Sequence, residues 1–208
     1  MGKEETGKLV SIIGPMFSGK SSLLIAYVER EAIAGRRAVL FKPVIDTRYS
    51  AKEVAAHNGR RLEAIPVPTN KEGVKRIISA AKHADTIGID EVEFWPIDSG
   101  IVEALEMLAN KGKHIYAAGL NRDYRGIPFE SVEKLLPRSD KIESLSAVCM
   151  KCGSENATFT QRIVNGKPVT HGKEEERILV GGKELYEPRC RKCFVFPNGE
   201  RQKRRKSS

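Results

Sequence analysis

The residues that could do chemistry gather in a few short stretches. The first is GPMFSGKS, Gly14 to Ser21. It fits Gly-x-x-x-x-Gly-Lys-Ser/Thr, and the residue types explain why such a loop holds phosphate. Gly14 and Gly19 let the backbone bend so that the N–H groups of Pro15's successors, Met16, Phe17 and Ser18, point inward at phosphate oxygens. Lys20 brings a cation to the β- and γ-phosphates, and Ser21 offers a hydroxyl to Mg²⁺. A helix beginning there adds its positive N-terminal end. The competing reading is a chance match in a glycine turn. The motif should then lack a strand before it and a helix after it, and here both are expected.

The second stretch is TIGIDEVEF, an apolar run ending in Asp90 and Glu91. An acid at the end of a strand neighbouring the phosphate loop would help Ser21 hold Mg²⁺. Glu91 beside it could take a proton from an attacking hydroxyl. Taken alone, the pair could equally be solvated acids. The third set is CMKC and CRKC, whose Cys149, Cys152, Cys190 and Cys193 are the chain's four cysteines. Two Cys-x-x-Cys knuckles supply four thiolates for a tetrahedral structural Zn²⁺, with no position left open for catalysis. Disulfides or free thiols are the alternatives, and no export signal supports the former.

These residues need elements to position them. LVSII (9–13) reads as a buried strand leading into the glycine loop, and Ser21 to Ala34 as a helix stopped by Gly35. AVLFKP (38–43), LEAIPV (62–67), TIGID (86–90) and HIYAAG (114–119) read as further strands. KEGVKRIISAAK (71–82) and SGIVEALEMLANKG (99–112) read as helices, and the polar segment 44–61 as largely loop. DKIESLSAV (140–148) reads as one more strand. Apolar strands alternating with helices predict an α/β fold, a parallel sheet with helices on both faces. After Ala147 helical periodicity stops, and the Asn-Gly of RIVNGKPV signals a hairpin. The expected organisation is a nucleotide-binding α/β domain at 1–147, a small zinc-binding unit at 148–194, and a basic tail at 195–208.

The 208 residues are 40% hydrophobic and 30% charged, as expected of a globular chain. No apolar run reaches the ~20 residues of a membrane helix, and the polar start MGKEETGK carries no apolar signal core, so a cytoplasmic, membrane-free protein is expected. Much of the formal charge of +9 sits in RQKRRKSS. A solvated tail explains it; weak, sequence-independent nucleic-acid contact is the alternative. A nucleic-acid-binding ATPase with a zinc ribbon is the rival reading of the whole, although the sheet region is short for its motor motifs.

Together, GPMFSGKS, FKPVIDTRY, DEVEFW, GLNRDYRGIPF, CMKC, VGGKELY and CRKC resemble, in order and spacing, the thymidine kinases of vertebrate cytosol, poxviruses and many bacteria. The resemblance runs from about Lys8 to Phe194. It implies a P-loop NTPase sheet carrying a zinc-anchored lasso. It also implies transfer of the γ-phosphoryl group of ATP to the 5′-hydroxyl of thymidine or deoxyuridine, for nucleotide salvage. The cofactors implied are ATP, Mg²⁺ and structural Zn²⁺, with a homotetramer and no specific nucleic acid as partner. By the same resemblance Asp46 and Arg48 sit at the Mg²⁺ and transferring phosphate, Glu91 is the catalytic base, and Lys20 and Arg48 neutralise charge. The lasso corresponds to Arg177, Ile178, Leu179, Val180, Gly181 and Gly182, with Tyr186 beside it. Met16, Phe94, Leu120, Tyr124 and Phe129 would wall the nucleoside site, and Thr160 would border the 5-methyl pocket.

The chain departs from the family at Glu93, where Gln is usual, and at Trp95, where Phe is usual. An extra carboxylate beside Asp90 and Glu91 would raise local pKa values by like-charge repulsion unless a cation compensates.

Overall fold

The computed structural model describes residues 6–45, 53–55, 59, 61–169, 182 and 184–196. Strand β1 (Lys8–Gly14) runs into the glycine loop and helix α1 (Lys20–Ile33) leaves it. There follow β2 (Ala38–Pro43), β3 (Glu53–Ala55), β4 (Arg61–Glu63), β5 (Ile65–Val67), α2 (Lys71–Ala80) and β6 (Thr86–Ile89). Helix α3 (Ile101–Asn110), β7 (His114–Leu120), α4 (Glu130–Leu135) and β8 (Lys141–Ser144) complete the first unit. Strands β9 (Ala157–Val164), β10 (Lys167–Pro168) and β11 (Tyr186–Cys190) form the second.

Six strands make one sheet in the order β5-β2-β6-β7-β1-β8, every neighbouring pair parallel. Side chains alternate across a strand, so each strand feeds two cores. Val10, Ile12, Tyr116 and Ala118 face Leu24, Ile25 and Val28 of α1. Leu9, Ile13, Ile115 and Ala117 face the other way, into a larger core closed by α2, α3 and α4. Burial on both faces is why these strands read as continuous apolar runs.

Three expectations change in detail. The LEAIPV strand divides at Ala64: β4 pairs antiparallel with β3, while β5 joins the sheet edge parallel to β2. Segment 44–61 is therefore partly a hairpin arm. The strand expected over 140–148 ends at Ser144, because the chain then crosses to the second unit, where Ala147 bridges Ala157. Helix α4, six residues long, is too short to announce itself by period.

In the second unit, β10-β9-β11 form an antiparallel sheet. Asn165 (φ 50°) and Gly166 (φ 71°) both take the left-handed conformation between Val164 and Lys167, the two-residue turn that the Asn-Gly pair predicts.

Candidate active site

In the parallel sheet, the loops leaving β1 and β6 emerge at the same, C-terminal edge, where open α/β sheets place their ligands. Gly14 ends β1, and a Cβ there would lie 2.6 Å from Ser18 Oγ and 2.7 Å from the Leu145 carbonyl oxygen, so the turn needs glycine. Phe17 (φ 64°) and Gly19 (φ 86°) are both left-handed, which curls the loop before α1 starts. The Ser18 hydroxyl donates to the Pro15 carbonyl at 2.9 Å and Lys20 Nζ donates to the same oxygen at 2.8 Å. The lysine is thus held over the loop it would serve.

Across the edge, Asp90 follows β6 and is buried. Ser21 Oγ donates to its Oδ2 at 3.1 Å and its Oδ1 at 3.3 Å. A hydroxyl and a carboxylate 69 residues apart therefore converge, and their all-oxygen chemistry suits a hard divalent cation such as Mg²⁺. Glu91 is buried and left-handed (φ 52°), a conformation that costs a non-glycine residue energy and concentrates at functional positions. Glu93 is buried as well. Burial pushes its carboxyl well above the usual carboxylate range, the charge of Glu91 pushes it further, and Lys20 only partly opposes this.

The expected nucleoside walls divide. Met16, Tyr124 and Tyr186 pack as one cluster, with Phe17, Leu120, Val169 and Leu185 against it. Phe129 instead lies in the main core with Val132 and Leu135, and Phe94 is half-buried. Thr160 is buried and accepts a hydrogen bond from the Met16 N–H at 3.0 Å. Gly182 N–H donates to Glu184 Oε1 at 2.7 Å, and its carbonyl accepts from the N–H groups of Leu185 and Tyr186. Asp46, Arg48, Arg177, Ile178, Leu179, Val180 and Gly181 lie outside the described residues.

Arg162 belongs to the cluster although no motif marks it. Its guanidinium lies 3.9 Å from the Tyr124 ring centroid and Nη2 donates to Tyr186 Oη at 2.8 Å. This buried cation locks two aromatic side chains of the cluster to one another. No spacing rule singles out an arginine in TQRIV. Asp123 also takes a part that the motif GLNRDYRGIPF does not reveal. Its carboxylate accepts the N–H groups of Arg125 and Ile127 at 2.9 and 3.0 Å and so fixes the loop that carries Tyr124.

The four cysteines are free thiols whose sulfurs all lie within 4.8 Å of one another. Their separation in sequence is closed by the β9–β11 ladder, which ends at Cys190. Burial opposes ionising Cys149, yet N–H groups of Cys190, Lys151 and Cys152 bring its thiol down to about 6. Cys193 is pushed up to about 12 by burial and by hydrogen bonds with the other three thiols. Four convergent sulfurs, one favouring the thiolate, fit a tetrahedral zinc site. Among the described residues, no helix is long and apolar enough to cross a membrane.

A family model described as thymidine kinase matches residues 7–194. The chain is 49% identical over 189 residues to a thymidine kinase of Pyrobaculum aerophilum, covering 91% of this chain and 99% of that one. It is 50% identical over 194 residues to a thymidine kinase of Thermococcus kodakarensis, covering 92% and 96%. The solved genome packaging NTPase B204 of Sulfolobus turreted icosahedral virus 2, in complex with ATP-gammaS, aligns at 17% identity. Its TM-score is 0.45 over 66% of this chain and 73% of its own, a likeness too slight to bear on the site. With a phosphate loop, a strand-end acid pair and a four-thiol cluster in one molecule, and with the match spanning nearly all of it, the chain belongs to the thymidine kinase family.

Proposed function

We propose that this chain transfers the γ-phosphoryl group of ATP to the 5′-hydroxyl of thymidine, giving ADP and thymidine monophosphate for nucleotide salvage. The observation that carries the reading is the contact of Ser21 with Asp90 beside Glu91, at the sheet edge where the phosphate loop ends. Gly14 to Ser21 wrap the ATP phosphates with backbone N–H groups, and Lys20 moves from the Pro15 carbonyl onto the β- and γ-phosphates. Mg²⁺ held by Ser21 and Asp90 would neutralise charge on the phosphate oxygens. Glu91 accepts the 5′-hydroxyl proton as the oxygen approaches phosphorus. Asp46 and Arg48 stand on the transferring-phosphate side. Phosphoryl transfer asks little covalent help of the protein, so positioning and charge supply most of the acceleration.

The thymidine site in this reading is walled by the cluster of Met16, Tyr124 and Tyr186, with Leu120, Phe94, Phe129 and Thr160 at its borders. It is covered by the lasso around 177–182. Cys149, Cys152, Cys190 and Cys193 would hold a structural Zn²⁺ that ties the lasso's two ends together and shortens the loop to be ordered. Division at residue 147, supported by the loss of helical periodicity there, a homotetramer, supported by the family resemblance, and a cytoplasmic location complete the reading.

The test is labelled phosphate transfer from ATP to a panel of nucleosides. Thymine and uracil present the same polar edge to main-chain groups, whereas cytosine exchanges an acceptor for a donor and its N3 accepts where theirs donates. Each mismatched buried group costs about 1–3 kcal/mol. Thymidine and deoxyuridine should be phosphorylated and deoxycytidine refused; efficient turnover of deoxycytidine, or ATP turnover that needs DNA and no nucleoside, overturns the reading.

A further inference from the structure

Glu93 is the one residue of DEVEFW whose chemistry the proposed reaction leaves unused. It is 4% exposed, and among the described residues no other residue donates a hydrogen bond to either of its carboxyl oxygens. A buried ionised carboxylate without donors is among the costliest arrangements a protein can hold. The cost disappears if the group is a neutral acid with somewhere to send its proton. The Glu91 side chain is within hydrogen-bonding reach. Two carboxylates cannot bond to each other, and one carboxylic acid with one carboxylate can.

The surroundings are shaped for that carboxyl. Gly119, near the end of β7, faces Glu93 so closely that a Cβ there would lie 2.7 Å from Glu93 Oε2 and 2.7 Å from Val92 Cγ1. Strand β7 lies between β6 and β1, so this close contact sits in the part of the sheet that carries the acid pair and the phosphate loop. The turn is pinned from the far side by Ser131 Oγ, which donates to the Val92 carbonyl at 3.2 Å. The charged groups acting on Glu93 are Glu91, which disfavours its ionisation, and Lys20, which favours it. Burial and Glu91 outweigh Lys20.

We propose that Glu93 is a positioning residue: a neutral carboxylic acid that donates its hydroxyl proton to a Glu91 carboxylate oxygen and aims the other oxygen at the nucleoside. The proposal rests on the reading of Glu91 as the base. It explains how glutamate stands where the family usually has glutamine. A glutamine amide and a protonated carboxyl can each place a donor at nearly the same point. Lys20, once drawn onto the phosphates of ATP, favours ionisation of Glu93 less, so nucleotide binding strengthens the pair.

The experiment compares wild type with E93Q, E93M and E91Q. Infrared difference spectra of wild type against E93Q at neutral pH should show the carbonyl stretch of a protonated carboxyl, lost in the variant. E93M should lower kcat by about 10–100-fold, the worth of one hydrogen bond to a charged group, with little change in KM for thymidine. E93Q should recover most of that loss. In wild type kcat should fall as alkaline pH removes the Glu93 proton, and this limb should be absent in E93Q. A wild-type spectrum without the protonated-carboxyl band, or E93M with undiminished kcat, overturns the proposal; should E93M fail to fold, the infrared comparison decides. Failure of the base reading looks different: E91Q then retains full kcat while the Glu93 band remains.

Discussion

Thr160 Oγ1 accepts a hydrogen bond from the Met16 N–H at 3.0 Å, a buried contact between residues 144 positions apart. It joins β9 of the cysteine-bearing unit to the phosphate loop of the sheet. The same neighbourhood holds the cluster of Met16, Tyr124 and Tyr186. Thr160→Val keeps the side chain's size and removes the acceptor, leaving a buried N–H unpaired at a cost of about 1–3 kcal/mol. Thermal unfolding should shift down, and calorimetric affinity should fall for a non-hydrolysable ATP analogue as well as for thymidine. Unchanged ATP affinity would show that the contact does not shape the loop. Enlarging the side chain, as in Thr160→Leu, narrows the space for the 5-methyl group and should penalise thymidine more than deoxyuridine.

Lys20 and Glu91 should separate into two kinds of loss. Lys20→Met removes the cation of the phosphate loop and should abolish transfer in a folded protein, because no other lysine stands in the motif. Glu91→Gln keeps size and removes basicity. It should lower kcat by about 10²–10⁴-fold, the usual weight of a positioned base, with thymidine affinity retained. Steady-state kinetics beside equilibrium binding would distinguish the two.

Zinc should be present in equimolar amount in freshly purified protein, by elemental analysis. Cys149→Ser or Cys193→Ser should loosen the β9–β11 unit and, if the proposed lasso covers the nucleoside, weaken thymidine binding more than ATP binding. Intact thymidine affinity in these variants would count against the cysteine cluster as the lasso's anchor.

Glu31 predicts an acid limb of stability. Burial pushes its carboxyl upward, but hydrogen bonds from Lys8, Tyr116 and His114 outweigh this and bring it down to about 2. Lys8 Nζ is 2.8 Å and His114 Nδ1 3.0 Å from the carboxylate, and Arg36 Nη1 pairs with it at 3.0 Å. A folded-state value below the unfolded one of 4.5 gives stability that is fully present above about pH 4.5 and lost as pH falls toward 2. The shift corresponds to about 3 kcal/mol. Glu31→Gln should therefore melt well below wild type at neutral pH, and the gap should close as the two are compared at lower pH. A pH-independent gap would mean that the carboxylate charge contributes nothing.

The sequence by itself determined much of this protein, because its signals there are local. A glycine loop between a strand and a helix dictates its own backbone, since Gly14 has no room for a Cβ and Gly19 is left-handed. Apolar runs between amphipathic helices dictate a parallel sheet, and Asn165-Gly166 dictates its hairpin turn. Two Cys-x-x-Cys knuckles state a donor set without saying how they meet. The tertiary structure alone decided the meetings. Ser21 reaches Asp90 because β1 and β6 end at one sheet edge. Thr160 reaches Met16 because the second unit folds back on the first, and Arg162 is buried against Tyr124 for the same reason. Phe129 packs into the main core with Val132 and Leu135, a placement that motif order does not reveal. Glu93 reads in sequence as one acid too many; its burial against Gly119 and Glu91 makes it a group that must choose a protonation state. Spacing along a chain fixes which atoms are available, while the desolvation and contact distances that set their energies arise only once distant segments pack together.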